Sequence, residues 1–254
     1  MNRRLTAVAL IVGLALTAAA LAAGASADTV KIGSTLGHAE NPGGELCSVC
    51  TGVQRSQVGG NTPLPLTSPA NGVVTSWAVR TSDVGAVYNL RILTPSGASA
   101  YTGAGTSPAV TVPLGTTDSV LNNVVSLPIK QGDAIGVSAG PSGHDLPSWP
   151  DNVNADVLGY ATVFVDGGPP ASTVNIPGHE LLIQATMSFC NVPNLHRLKK
   201  VLAKTALTNA DCGVKVKKKV THKKKFRGKV LKQKVAAGTT GAPGTVVPIV
   251  IGQK

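Results

Sequence analysis

The C-terminal part of the fold is decided by residues 190–254, which read CNVPNLHRLKKVLAKTALTNADCGVKVKKKVTHKKKFRGKVLKQKVAAGTTGAPGTVVPIVIGQK. Small and apolar residues recur near its beginning with the period of an amphipathic helix, and Lys199, Lys200 and Lys204 fall on the opposite side. The positions predicted to face the core are Leu198, Val201, Leu202, Thr205, Ala206, Asn209 and Ala210. Gly213 follows, and a residue free to adopt positive φ at that point can end the helix.

Three strands are predicted after the helix. The sequence GVKVK, which starts at Gly213, alternates apolar and basic residues with the period of two that indicates a strand. A second run, 229–235, and a third, 246–251, are separated by AAGTTGAPG, whose glycines and proline suit a turn. Because the proline at 248 cannot donate to a ladder, we expect the third strand at a sheet edge, or this position facing outward. The unit is therefore predicted to be one helix on a small three-stranded sheet.

The order of these elements, with VPNL at 192–195 and G-x-V-x-x-Q at 228–233, resembles the PASTA domain of bacterial wall-sensing kinases and penicillin-binding proteins. The positions that carry the resemblance are Val192, Pro193, Leu195, Ala203, Leu207, Ala210, Gly228, Val230, Gln233, Gly238, Gly244, Val247 and Val250. Cys190 and Cys212 look like the cysteine pair of single PASTA units in secreted bacterial proteins. The resemblance implies an α+β domain that associates with peptidoglycan or its fragments, or serves as an adaptor at the cell surface.

Three positions depart from the family pattern. Arg197 stands near the usual glycine, Val235 replaces the proline expected after the glutamine, and Pro248 interrupts the last strand. These departures concern ligand contacts more than the fold.

Residues 1–27 have the composition of a secretory signal peptide. Two arginines precede an apolar run over residues 5–21, and Ala-Ser-Ala at 25–27 suits signal peptidase. The alternative is an uncleaved membrane anchor, although the run is near the lower limit for spanning a bilayer. We expect a secreted, extracellular and soluble mature protein without a transmembrane anchor, which associates with the cell wall.

The four cysteines are interpreted as two disulfide bonds, because an exported chain favours oxidised thiols. Cys47 and Cys50 are local to each other, and Cys190 and Cys212 bracket the predicted helix. The alternative for Cys47-Ser48-Val49-Cys50 is a redox-active or metal-binding C-x-x-C motif. It lacks the βαβ context of a thioredoxin, and a zinc site would need the other two cysteines nearby.

Residues 28–189 are predicted to form one all-β domain. Short apolar runs alternate with turn-forming residues and show no helical period. The clearest predicted strands are 73–80, 87–94, 120–127, 134–138, 157–165 and 180–189. About eight strands in this length fit one β-sandwich of the jelly-roll type. The run over 127–137 also looks weakly like carbohydrate-binding modules, so a glycan-binding sandwich with Trp149 or Trp77 in an exposed groove is an alternative function.

Charge divides the chain between an acidic and a basic part. Residues 28–189 hold five basic and eleven acidic residues, a balance of −6, whereas residues 190–254 hold sixteen basic residues against Asp211, a balance of +15. Such a density of one sign attracts polyanions. The candidate binding residues are Lys217, Lys218, Lys219, Lys223, Lys224, Lys225 and Arg227.

The partner of this basic segment is predicted to be peptidoglycan or an anionic cell-wall glycopolymer. Nucleic acid is disfavoured, because the protein is exported and Phe226 is the only ring interleaved with the lysines. Wall polymers of the teichoic type, acidic glycans and anionic lipid heads are the partners of this charge that we expect outside a bacterium. A solvated loop that only keeps the domain soluble is the structural alternative.

Catalysis is not predicted. Gly136-Val137-Ser138-Ala139-Gly140 matches G-x-S-x-G, and a hydrolase would use Ser138 with partners among His144, Asp145, His179 and Asp166. That elbow requires a strand-to-helix turn over a parallel sheet, and the next residues form a proline-rich loop. His38 with Glu40, or His144 with Asp145 and Asp151, lack a recognisable metal-ligand spacing. We expect no enzyme activity, no metal and no cofactor.

The sequence thus predicts three segments: a signal peptide at 1–27, a β-sandwich at 28–189 and a PASTA-like domain at 190–254. It makes no prediction of the oligomeric state or of the sandwich's ligand.

Overall fold

The computed structural model describes residues 28–41, 49–56, 64–140, 144–150, 155–160, 164–169 and 173–254. The predicted signal peptide and Cys47 lie outside these residues. The strands of the first part are β1 (Asp28–Gly33), β2 (Thr51–Gln54), β3 (Gly72–Thr81), β4 (Val87–Gly97), β5 (Ala100–Thr106), β6 (Val110–Thr111), β7 (Ser119–Ile129), β8 (Ala134–Ala139), β9 (Ser148–Pro150), β10 (Asp156–Tyr160), β11 (Thr173–Pro177), β12 (His179–Leu181) and β13 (Ile183–Asn191).

The elements that follow are α1 (Lys200–Asn209), β14 (Gly213–Val220), a 3-10 helix (Lys224–Phe226), β15 (Val230–Gln233), β16 (Thr240–Gly241) and β17 (Val246–Gln253). The chain is mainly β, with one α-helix packed on a sheet in its C-terminal part. The predicted fold class is confirmed.

Two sheets form the sandwich. One has the strand order β1-β13-β3-β7, and the other has the order β11-β10-β2-β8-β4-β5 with β6 added to β4. Apolar residues from both sheets, such as Trp77 and Val79 of β3 and Tyr88 and Leu90 of β4, share one buried core. Aliphatic side chains dominate this core because the chain has few large rings.

The predicted strands of the sandwich are found with two differences. The run 180–189 is not one strand, because it is divided at Leu182 into β12, which pairs with β9, and β13, which pairs with β1 and β3. The predicted strand 157–165 is β10 up to Tyr160, and 161–163 lie outside the described residues. More strands form than the eight expected, since short ones such as β6 and β9 carry no alternating pattern.

Helix α1 packs on the sheet through small residues. Its buried side chains are Ala203 and Leu207, with Ala210 buried just after its end. The predicted buried face was therefore wrong in part: Val201 is 72% exposed and Leu202 is 47% exposed. Ala210 of the predicted face is buried, and Leu198 and Ala206 of that face pack partly buried against the core. Ala203 and Leu207 were named only by the family pattern.

The end of α1 is also formed differently from the prediction. Asp211, with φ 52°, takes the left-handed conformation, and the amides of Asp211 and Cys212 donate to the carbonyls of Thr208 and Leu207. This pair of bonds is a Schellman motif. Gly213 already belongs to β14, and a Cβ at this position would lie 2.6 Å from the Gly244 carbonyl oxygen. Close approach of the backbones, rather than positive φ, is why glycine is needed there.

The C-terminal sheet has the order β14-β17-β15, so β17 is its central strand. The expectation that Pro248 puts this strand at an edge was wrong, whereas Pro248 does lie on the side of the sheet that faces away from α1, as the other alternative expected. The Pro248 carbonyl accepts a hydrogen bond from the amide of Lys234, which lies one residue beyond the end of β15. The nitrogen and the carbonyl of Pro248 face the same side of β17, toward β15. Because β15 has already ended at this point, the missing N–H of Pro248 removes little from the hydrogen bonding between the two strands.

The two parts of the chain are joined without a linker. The last residues of β13, Cys190 and Asn191, pair with β16, so the AAGTTGAPG segment contains a short strand as well as turns. The Asn191 side-chain amide donates to the Asp28 carboxylate at 2.5 Å. The predicted domain boundary between 189 and 190 falls within β13, and the division itself remains a prediction.

The predicted disulfide between Cys190 and Cys212 is confirmed. It joins β13 to the segment after α1, with the two Cα atoms 4.9 Å apart and both residues buried. Cys50 is also disulfide-bonded. Since Cys47 lies outside the described residues, the pairing of Cys47 with Cys50 stays a prediction.

Candidate polyanion-binding surface

Strand β14 separates apolar from basic residues by its alternation. Val214 and Val216 point toward α1 and pack against the core of the C-terminal unit. Lys215, Lys217 and Lys219 are exposed and project from the opposite side of the sheet. One strand therefore supplies three ammonium groups in a row.

The neighbouring strands complete this side of the sheet. In β17, Val247 and Ile249 are buried in the core, so the alternate residues Val246, Pro248 and Val250 face away from α1. The exposed Lys232 of β15 is paired with Val250, which places it on the same side. We call this surface the lysine face: Lys215, Lys217, Lys219 and Lys232 around the apolar strip of Val246, Pro248 and Val250.

The basic residues of the C-terminal unit form no salt bridge within the part of the chain that the structure describes. The four salt bridges there all lie in the sandwich: His38–Glu180, Arg80–Asp118, Arg91–Asp166 and His144–Asp83. Asp211 is the only acidic residue after Cys190. The positive charge of the lysine face is therefore not neutralised by carboxylates of its own unit.

The seven basic residues predicted as a site do not form one cluster. Lys217 and Lys219 belong to the lysine face, whereas Lys218 points to the other side of β14. Lys223, Lys224 and Lys225 are exposed in the connection from β14 to β15, and Arg227 is half-buried after the 3-10 helix. This connection crosses the end of β17, because Thr221 and Gly228 donate to the carbonyls of Gln253 and Gly252.

Sequence reasoning missed Lys215 and Lys232. Lys215 continues the same alternation as Lys217 and Lys219, so the GVKVK pattern contained enough information to find it. Lys232 joins the surface only through the register of β15 on β17, which is shifted by an irregularity between Val230 and Lys232. No local pattern reveals that register.

A small pocket lies beside the start of α1. It has a volume of about 150 Å³ and is lined by His196, Arg197, Phe226, Val230 and Leu231. Arg197 has φ 63° in the left-handed region, where glycine is preferred, and its Nε donates to Nε2 of His196 at 3.2 Å. The Lys225 ammonium lies 5.3 Å from the centre of the Phe226 ring. Apolar side chains and two basic groups thus occur together in and around this pocket.

The nucleophile elbow considered as an alternative at Ser138 does not form. Ser138 is 2% exposed inside β8, which has antiparallel neighbours on both sides, and its Oγ lies 2.7 Å from Oγ1 of Thr51. His144 pairs with Asp83, and Asp166 pairs with Arg91. His144 and Asp166, considered as partners of Ser138 in a hydrolase, therefore pair with other residues instead.

The glycan-binding alternative loses both of its candidate rings as open contacts. Trp77 is 2% exposed in the sandwich core. Trp149 is half-buried, and His38 stacks on its ring at a centroid distance of 3.6 Å. His38 is held in turn by the fully buried Glu180, whose carboxylate also accepts a hydrogen bond from Ser34. These contacts give the His38–Trp149 stack a structural role.

Several pKa values in the sandwich are displaced by burial or pairing. Burial raises the pKa of Tyr88 and lowers that of Arg91, which the Asp166 charge partly opposes. The Arg80 guanidinium lowers the pKa of Asp118 by hydrogen bonding to its carboxylate. These displacements arise from burial and from ion pairs within the sandwich.

No cluster of three or more His, Cys, Asp or Glu residues suited to a metal ion occurs among the residues that the structure describes. Asp151, named above with His144 and Asp145, lies outside them. Within the same ranges, no helix has the length and apolar character needed to cross a membrane.

Comparison with known proteins identifies the C-terminal unit. Residues 191–253 match the family model of the PASTA domain, which covers about a quarter of the chain as a single C-terminal copy. The resemblance drawn from the VPNL and G-x-V-x-x-Q motifs is confirmed. No curated protein and no solved structure matches the chain.

Proposed function

Because residues 191–253 form a PASTA domain, we propose that the protein is a secreted, non-catalytic component of the bacterial cell envelope that this domain holds on peptidoglycan. A PASTA domain indicates an envelope-related, peptidoglycan-binding role, and this match is the observation that carries the proposal. The sandwich then serves as the part of the protein that is displayed at the wall.

Export is supported by two features that are independent of the match. The first 27 residues have the order of a secretory signal, with arginines, an apolar run and small residues. The buried disulfide between Cys190 and Cys212 persists in an oxidising compartment and would be reduced in most cytosols. Both features favour a location outside the cytoplasm.

The pocket beside α1 is the proposed peptidoglycan site. Its volume suits a single group of a larger ligand, such as one sugar or one residue of a stem peptide. Phe226 and Leu231 offer an apolar surface to that group, and the Arg197 guanidinium suits a carboxylate because it presents a planar fork of donors. Peptidoglycan fragments carry both apolar carbon skeletons and carboxylates.

A sedimentation assay with purified wall sacculi tests the proposal. The sacculi are stripped of anionic polymers, and the full secreted chain is added at physiological salt. We expect the protein in the pellet, and soluble muropeptides should release it. Recovery of the protein in the supernatant would contradict the proposal.

The pocket is tested by Arg197→Gly, which removes the guanidinium and leaves a residue that adopts φ 63° without strain. We expect weaker binding to stripped sacculi with an intact fold. The matched control is Lys204→Gln, which removes one positive charge from the exposed side of α1. An equal loss in both variants would show that only net charge matters.

A further inference from the structure

We propose that the lysine face is a second binding surface, which takes a linear polymer of polyols joined by phosphodiesters, as in teichoic-type wall polymers. This inference rests on the proposed function only for the location of the protein at the wall. It assigns to the lysine face a ligand that the peptidoglycan pocket does not bind.

The spacing of the lysines suits a linear ligand. Alternate residues of a strand lie about 6.6 Å apart, so Lys215, Lys217 and Lys219 offer three charges in a line at that interval. Lys232 lies two strands away across the sheet, at about 10 Å from that line. An extended polymer that lies along β17 therefore has ammonium groups on both of its sides.

The chemistry of the lysine face suits negative charges whose orientation varies along a flexible polymer. Its charged residues are all lysines, and lysine binds phosphate as a point charge that accepts many orientations. Arginine, whose planar fork requires a fixed orientation of the carboxylate or phosphate that it binds, is found instead at the pocket, as Arg197. A phosphodiester also carries one negative charge in every repeat, so each lysine can meet one.

The apolar strip between the lysines favours a polyol backbone. Pro248 and Val250 are half-buried, and Val246 is 53% exposed, so the strip offers a shallow apolar surface to the carbons between phosphates. Single-stranded nucleic acid prefers aromatic platforms, and this surface has none. A membrane-binding surface favours large apolar side chains such as Trp, Phe and Leu, which the strip also lacks.

Because these lysines are not paired with carboxylates of the described residues, their charges are available to an external ligand. None of the four forms a salt bridge in the described ranges, and Asp211 is the only acidic side chain after Cys190. Binding of a polyanion would release the counterions of both partners, so affinity should fall steeply as salt rises. Each lysine that contacts a phosphate adds to that slope.

The test measures binding of soluble poly(glycerol phosphate) to the full chain by titration calorimetry at several salt concentrations. The main variant is K215E/K217E/K219E, and the matched control is K223E/K224E/K225E, which changes the net charge equally in the β14–β15 connection. We expect the first variant to lose at least about tenfold in affinity and the control to lose less than about threefold. Equal losses in both would overturn the proposal, because diffuse charge would then explain binding.

A milder variant keeps the test valid if triple reversal disturbs the fold. Lys217→Gln should lower the slope of log affinity against log salt by about one. An unchanged slope in this variant would count against a contact at Lys217. Stronger binding of the wild type to vesicles of phosphatidylglycerol than to the polymer would overturn the choice of ligand.

Binding to the polymer and binding to stripped sacculi test the two proposals separately. Polymer binding that persists when stripped sacculi are not bound would support the lysine face and reject the peptidoglycan proposal. Binding to stripped sacculi without binding to the polymer would do the reverse. K215E/K217E/K219E should bind stripped sacculi like the wild type, because none of these three lysines lines the pocket.

Discussion

The sandwich and the C-terminal unit differ in whether their charged side chains are paired. The sandwich places arginines and histidines against carboxylates, as in the Arg80–Asp118 and Arg91–Asp166 pairs. The C-terminal unit holds far more charge and pairs none of its basic residues within the described residues. Paired charges indicate a structural role, whereas an unpaired surface of one sign indicates an external partner. Both proposed binding surfaces therefore lie on the C-terminal unit.

The two parts also differ in how they are stabilised. The sandwich has a large core shared by two sheets, and the C-terminal unit has a small core closed by one helix and a disulfide. Small units depend strongly on each core side chain and each covalent link.

The largest effect is expected for Leu207→Ala. Leu207 is fully buried between α1 and the sheet, so its truncation leaves a cavity and costs about 3–5 kcal/mol of unfolding free energy. Hydrogen exchange followed by mass spectrometry should show the loss in the C-terminal unit. The control Val201→Ala, at a position 72% exposed, should cost less than about 0.5 kcal/mol. Similar costs at both sites would contradict the observed orientation of α1.

Removal of the Cys190–Cys212 disulfide comes next. The link closes a loop with a sequence separation of 22, and its loss should cost about 3 kcal/mol on the entropic account. Replacement of both cysteines by alanine should raise hydrogen exchange in α1 and β14 more than in β3 and β4. An equal rise in both parts would show that they unfold as one unit, which β13, shared by both, makes a real alternative.

A smaller effect is expected from salt. Sixteen basic residues against one acidic residue repel one another, so added sodium chloride should screen them and stabilise the C-terminal unit. The sandwich, whose charges are paired, should gain little or lose slightly. Hydrogen exchange at low and high salt measures both parts in one experiment. Equal responses of the two parts to salt would contradict the contrast between paired and unpaired charges.

Sequence patterns predicted the order of elements better than their orientation. Helical spacing placed Val201 and Leu202 in the core of α1 together with Ala210, but of these three only Ala210 is buried. The helix packs on the sheet through Ala203 and Leu207 as well. The family pattern named Ala203, Leu207 and Ala210 because it encodes packing between elements. The hydrophobicity pattern of one helix does not show the shape of the sheet on which the helix packs.

The lysine face shows the same limit for the candidate site. The basic segment was found from composition, and two of its predicted residues, Lys217 and Lys219, are exposed on the lysine face, while their role in binding stays a prediction. Lys218 was grouped with them by adjacency, although neighbouring strand residues point to opposite sides. Lys232 was missed because its place depends on how β15 pairs with β17. Long-range register, which no local pattern contains, decides which charges share a surface.

The smallest effect concerns a paired charge of the sandwich. Arg80 donates through Nε and Nη2 to the two carboxylate oxygens of Asp118, at 2.9 and 2.6 Å, and lowers the pKa of Asp118. A lowered folded pKa gives stability that is present above the unfolded pKa, about 3.9, and is lost as pH falls through the folded value. Because the pair is partly exposed, Asp118→Asn should cost no more than about 1 kcal/mol at neutral pH.

The pH dependence separates this ion pair from a simple packing effect. Acid unfolding of the wild type should show a loss of stability below about pH 4 that Asp118→Asn no longer shows. Asp211→Asn is the control from the other part of the chain, because Asp211 forms no salt bridge among the described residues and asparagine tolerates its φ of 52°. Acid unfolding of that variant should follow the wild type. A larger change for Asp211 than for Asp118 would place the important carboxylate in the basic unit and reverse the contrast between paired and unpaired charge.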